Sequence, residues 1–106
     1  KIFKIYKQQL IVLKLHNSGL IDFLNDEFHP KCIILFGSMS KGEYDKKSDI
    51  DIFLQAEEKS INLEKFERKL KHSINLIFED NLNKLSSELF NNIINGVKLH
   101  GYLKLK

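Results

Sequence analysis

At 106 residues and a formal net charge of +3, the chain has room for one domain around one core, with any active site in a surface cleft. A single cysteine, Cys32, excludes an internal disulfide scaffold and a cysteine-based zinc set, and suits a reducing cytoplasm. No stretch approaches the ~18 consecutive apolar residues of a membrane span and no signal peptide is evident, so no membrane partner is expected.

Lysines are spread along the chain as a solvated surface rather than gathered in a block. Such a charge accommodates a polyanionic ligand without requiring nucleic acid. The sequence starts at Lys1 without a methionine, which points to a trimmed chain or a fragment and to a domain upstream. Residues 1–17 are therefore expected to form an N-terminal helix at the end of an upstream segment, with the main domain at 18–106.

Residues 2–16 are helix-permissive. A broad face of Ile2, Ile5, Tyr6, Gln9, Val12, Leu13 and His16, extended by Leu10, is expected to pack. Asn17-Ser18-Gly19 breaks the pattern, and Ser18 is placed to cap a second helix whose Leu20, Ile21, Phe23, Leu24 and Phe28 form the buried side. His29-Pro30 ends it. His16 and His29 read as helix-end residues, since neither has a partner at ligand spacing.

The chain is organised around residues 33–54. The run Ile33-Ile34-Leu35-Phe36 reads as a buried strand and leads straight into Gly37-Ser38, a short helical turn over residues 39–41, and Gly42. A charged loop follows, in which Tyr44 either stacks on a base or covers the core edge. A second strand, residues 49–55, interleaves Asp49 and Asp51 with Ile50, Ile52 and Leu54. Alternation along a strand aims both carboxylates to one side and the isoleucines to the core. Two carboxylates aimed at one spot are costly without a cation between them, and hard oxygen ligands suit Mg²⁺ shared with substrate phosphates. Gly37 lets the backbone approach a phosphate, and Ser38 is expected as a helix N-cap that also donates to one. Lys41 adds positive charge, Met39 continues the cradle, and Ser48 is expected to orient Asp49.

Farther on, Asn62 is expected to cap a helix to residue 71 with Leu63, Phe66 and Leu70 inward and Glu67 in water. A third strand, residues 73–79, puts Ile74, Leu76 and Phe78 on one face and Asn75, Ile77 and Glu79 on the other. One last helix is expected from residue 81 or 83 to 95, stopped at Asn95-Gly96. A final half-exposed strand alternates Val97, Leu99, Gly101 and Leu103 with Lys98, His100, Tyr102 and Lys104. The fold class expected is α+β in two layers, a mixed sheet with helices mainly on one face.

Gly37-Ser38, ten intervening residues, then Asp49-Ile50-Asp51, with apolar strands on both sides, resembles the signature of the DNA polymerase beta-like nucleotidyltransferases, closest to the minimal nucleotidyltransferases. The resemblance extends from about Ser18 to Gly101. It implies nucleotide binding by Gly37, Ser38, Met39 and Lys41, and Asp49 and Asp51 as catalytic residues that hold Mg²⁺. It implies transfer of a nucleoside monophosphate, most simply AMP from ATP, onto a hydroxyl. The family also implies a HEPN-type helical partner protein that presents the acceptor, as in toxin–antitoxin pairs. Nucleic acid enters only with an upstream DNA-binding domain, and a homo-oligomer is compatible with the apolar first helix.

The resembled family usually carries a third acid on the strand after the helix, where this chain has Asn75. Asparagine offers an oxygen but no charge and cannot act as a base. Glu79 is roughly 13 Å farther along the strand, while Glu43 and Asp45 are looser substitutes. The enzyme therefore competes with a nucleotide-binding regulatory module that has lost turnover, and with an interaction domain carrying a vestigial site.

Overall fold

A computed structural model describes residues 2–103. Four strands form one sheet, β1 (Cys32–Phe36), β2 (Ile50–Leu54), β3 (Ile74–Phe78) and β4 (Val97–Gly101), in the order β3-β2-β1-β4. β1 pairs antiparallel with β2 and with β4, whereas β2 and β3 are parallel. The α-helices are α1 (Ile2–Asn17), α2 (Leu20–Phe28), α3 (Gly37–Ser40), α4 (Glu64–Leu70) and α5 (Ser87–Ile94). The parallel pair needs a crossover, which α4 supplies. The result is the expected α+β mixed sheet.

Both sheet faces are covered because β1 is apolar at every position and wholly buried. On the first face Ile33, Leu35, Ile50, Ile52 and Leu54 pack with Ile11 and Leu15 of α1, Leu20, Ile21 and Leu24 of α2, and Phe66 of α4. Phe23 meets Phe66 with ring centroids 5.1 Å apart, and Phe28 meets Phe78 at 4.9 Å, joining α2 to α4 and to β3. The second face is smaller: Cys32, Ile34, Phe36 and Phe53 pack under Leu82 and Ile93.

Four expectations change. The inner face of α1 carries Ile11 and Leu15, whereas Ile2, Ile5, Tyr6, Leu10 and Leu13 are exposed. α1 is apolar on most sides, so periodicity alone does not select its face. The last helix is two pieces, a 3-10 turn at Leu82–Lys84 and α5, because Ser86 has an extended backbone and its hydroxyl caps Leu89 N–H at 3.1 Å. Glu67 is half-buried rather than in water, its carboxylate accepting from Ile74 N–H at 2.8 Å and fixing the start of β3. The last strand ends at Gly101, and Lys104 lies outside the described residues.

Ser18 and Asn62 serve their helices from one residue farther out than a standard cap. Ser18 Oγ accepts from Leu20 N–H at 3.1 Å, and Asn62 Oδ1 accepts from Glu64 N–H at 2.9 Å. Among the described residues, no helix is long and apolar enough to cross a membrane.

Candidate functional site

The ends of β1 and β2 build the site. Their antiparallel register sets Phe36 opposite Asp51, so Gly37 emerges beside the Asp51 carboxylate. Gly37 has φ +73°, and a Cβ there would lie 2.5 Å from Asp51 Oδ2. Only glycine satisfies both the left-handed backbone and the missing space.

Parallel pairing then sets Asn75 of β3 opposite Asp51. Asn75 Nδ2 donates to Asp51 Oδ1 at 3.2 Å. The sheet thus places Gly37, Asp51 and Asn75 side by side on three neighbouring elements. Asp49 precedes β2 and is exposed, while Asp51 is half-buried between the fully buried Ile50 and Ile52. By strand alternation the two aspartates share the face that carries Phe36 and Phe53.

The helix of the glycine–serine turn is only four residues long, so its macrodipole is small. Its opening amides nonetheless have no acceptor within the helix. Ser38 is not the N-cap: Phe36 holds that position with an extended backbone and no side-chain cap, since the helix starts directly at Gly37. Ser38 is half-buried as the second helical residue, and its carbonyl accepts from Lys41 and Glu43 N–H. Met39 is fully buried, its side chain anchoring the turn in the core. Lys41 is exposed at the C-terminal end of α3.

The other acids are committed elsewhere. Glu43 pairs with Lys4 at 2.8 Å, and that hydrogen bond holds its carboxyl below the ordinary range. Asp45 Oδ1 accepts from Lys47 N–H at 2.8 Å. Glu79 lies at the far end of the sheet, where its backbone N–H donates to Leu54 O and its carboxylate accepts from Asn81 N–H. Ser48 does not orient Asp49: its hydroxyl accepts from Asp45 N–H at 3.0 Å and closes the loop on itself.

As a metal site, the donor set is two carboxylates and an amide. Among the described residues, no group of three or more His, Cys, Asp or Glu side chains could hold a metal ion. Asp49 and Asp51 fit one hard divalent cation that draws its remaining ligands from phosphate and water. Asp49 also borders an open groove of about 590 Å³ whose other walls include Lys46, Lys47, Arg68, Lys71 and His72.

Sequence reasoning offered Tyr44 as a cover for the core edge but missed the partners that hold it, Lys7 and His72. Tyr44 is half-buried, its hydroxyl donating to Lys7 O at 2.8 Å, and the Lys7 ammonium donates to Tyr44 O and sits 4.4 Å from the ring centroid. Tyr44 thus covers the core edge. His72 meets the Tyr44 ring edge-on at 6.3 Å, and its Nδ1 lies 2.7 Å from Ser48 O. These partners are distant in sequence and leave no local signal.

The family described as "Polymerase beta, Nucleotidyltransferase" matches residues 18–101. Solved structures similar to this chain include two that are described as toxin–antitoxin assemblies. One is a toxin–antitoxin complex with AMP-PNP, at 29% identity and TM-score 0.58, covering 81% of this chain and 74% of that one. The other is a mutant of the toxin–antitoxin pair MntA–HpeT, at 25% identity and TM-score 0.58, covering 78% and 70%. That mutant carries two aspartate-to-glutamate substitutions two positions apart. No curated protein matches the chain.

Proposed function

The chain belongs to the polymerase beta nucleotidyltransferase family, and from that premise we propose that it binds a metal–nucleoside triphosphate and transfers the nucleoside monophosphate, most simply AMP from ATP, to a hydroxyl. The observation that carries this is the meeting of Gly37 with Asp51, which brings the bare backbone of the glycine–serine turn directly beside a carboxylate. The AMP-PNP in one similar structure supports a nucleotide ligand. The spacing of the substituted aspartates in the other equals that of Asp49 and Asp51.

In this proposal the opening amides of α3 and the Ser38 hydroxyl orient phosphate oxygens, and Lys41 adds positive charge. Asp49 and Asp51 would hold Mg²⁺. The ion, when bound, supplies neutralisation of the phosphate charge. Asn75 keeps Asp51 oriented through its amide but accepts no proton from the attacking hydroxyl. As the hydroxyl bonds to the α-phosphorus and pyrophosphate leaves, the hydroxyl's proton has to pass to water or to a base brought by the acceptor or its partner.

The acceptor is presented by a partner protein of the HEPN type. Both similar structures are toxin–antitoxin complexes, and α1 leaves Phe3, Tyr6, Leu10 and Leu13 exposed in one stripe. Incubation with ATP labelled at the α-phosphate, with and without such a partner, tests the transfer. Label that enters protein only with the partner and the two aspartates present is the expected result. Label that never leaves the nucleotide pool contradicts it.

Asn75 specifically favours a second reading, a module that binds nucleotide without turnover. Saturable metal–nucleotide binding with no label transfer, even in Asn75→Asp, separates it from the first.

A further inference from the structure

We propose that α1 clamps the connector between the two halves of the nucleotide site and so holds the glycine–serine turn and Asp49 in register. The proposal rests on the nucleotide-site reading above. The family match begins at residue 18, so α1 lies outside it. Yet α1 touches the connector at successive points along its length.

At the turn itself, Gln8 Nε2 donates to Ser40 O at 2.6 Å, and Ser40 Oγ donates to Gly37 O at 2.7 Å. The side of α1 that carries Ile11 and Leu15 is thereby two hydrogen bonds from the residue beside Asp51. Next, Gly42 has φ +68° and lies so close that a Cβ would be 2.0 Å from Lys4 O. The connector can lie flat on α1 only with glycine there. Then Tyr44 and Lys7 exchange backbone and side-chain hydrogen bonds. The Tyr44 ring meets His72, whose Nδ1 bonds Ser48 O immediately before Asp49.

The contacts with α1 run in chain order from Ser40 to Tyr44, and His72, packed on the Tyr44 ring, carries the chain of contacts on to Ser48. This stretch contains no strand and no helix beyond the end of α3, and its own bonds are local turns around Ser38 and between Asp45 and Ser48, so none of them ties it to the rest of the fold. Ile11 and Leu15 anchor α1 in the main core, which makes it a firm base for the clamp. Gln8 and Tyr44 are positioning residues: they act through Ser40, His72 and Ser48, and touch no reacting atom.

The test uses the full chain carrying Gln8→Ala with Tyr44→Phe, two changes that leave Ile11 and Leu15 in place. Amide hydrogen exchange is read without nucleotide, and Mg-ATP affinity by calorimetry. Exchange over residues 38–48 is expected to rise while β1 and β2 amides stay protected. Affinity is expected to fall about tenfold, the scale of one to two neutral hydrogen bonds. Gln8→Lys, which restores a donor of similar reach, should recover much of the affinity when combined with native Tyr44. Unchanged exchange in the connector, unchanged affinity, or a rise spread evenly over the strands overturns the clamp. If the wild-type chain binds no nucleotide, the nucleotide reading fails and the exchange data alone decide the clamp.

Discussion

Gly37 and Asp51 occupy each other's space: a Cβ on the glycine would sit 2.5 Å from the Asp51 carboxylate oxygen. Nothing but a hydrogen atom lies between the Gly37 backbone and the acid. The two motifs, separated in sequence by the connector, are one structural unit.

Gly37→Ala therefore carries two costs, a side chain at φ +73° and a clash with Asp51. Destabilisation of about 1–3 kcal/mol is expected. Metal–nucleotide affinity should fall further than stability does, because the relaxed backbone moves away from the phosphates or displaces Asp51. Denaturant unfolding beside calorimetric titration checks both. A variant as stable and as tight-binding as the wild type would contradict the geometry.

Asn75→Asp sets a second carboxylate opposite Asp51 on the adjacent strand. Without metal, the like charges should cost ~1 kcal/mol at neutral pH. With Mg²⁺ bound the sign should reverse, since position 75 would then offer the cation a third carboxylate charge beside Asp49 and Asp51. The thermal midpoint of the variant should rise more on adding Mg²⁺ than that of the wild type, and label transfer should appear or quicken. Equal Mg²⁺ responses would show that position 75 does not face the metal.

Ser86→Ala removes the hydroxyl that caps Leu89 N–H. A loss of about 1 kcal/mol is expected in denaturant unfolding. If α5 continued unbroken from residue 81, the same change would be nearly neutral.

Cys32 is fully buried, and burial pushes its thiol from 9.0 up to about 11. The folded state therefore holds the proton more tightly than the unfolded chain. Its contribution to stability is whole below pH 9 and is lost as pH rises towards 11. Native protein at pH 8 should resist alkylation by iodoacetamide at a rate set by unfolding. Rapid labelling in the native state would contradict the burial.

What was legible in the sequence was what obeys short periods. Asp49 and Asp51 alternate with Ile50 and Ile52, so a shared face followed from the strand alone. Asn75 was singled out by the family resemblance rather than by any pattern in the chain, and parallel pairing with β2 sets it opposite Asp51. Roles that depend on long-range contact were not legible. Ser48 and Ser38 looked like capping or orienting groups, but loop closure took one and the direct strand-to-helix start displaced the other. The inner face of α1 was misassigned because its apolar residues surround the helix, and packing rather than period chose Ile11 and Leu15. Tyr44 and Lys7 lie 37 residues apart, beyond any local pattern.

The central claim is that Gly37-Ser38 and the Asp49–Asp51 pair form one metal–nucleotide site. Calorimetric titration of the chain with Mg-ATP and the other three nucleotides, repeated on Asp49→Asn/Asp51→Asn, tests it most directly. The double variant should be at least as stable as the wild type, since it removes two like charges. The account predicts saturable binding that requires both the divalent ion and the two aspartates. Absence of binding to every nucleotide by folded wild-type protein, or undiminished binding by the double variant, would contradict it.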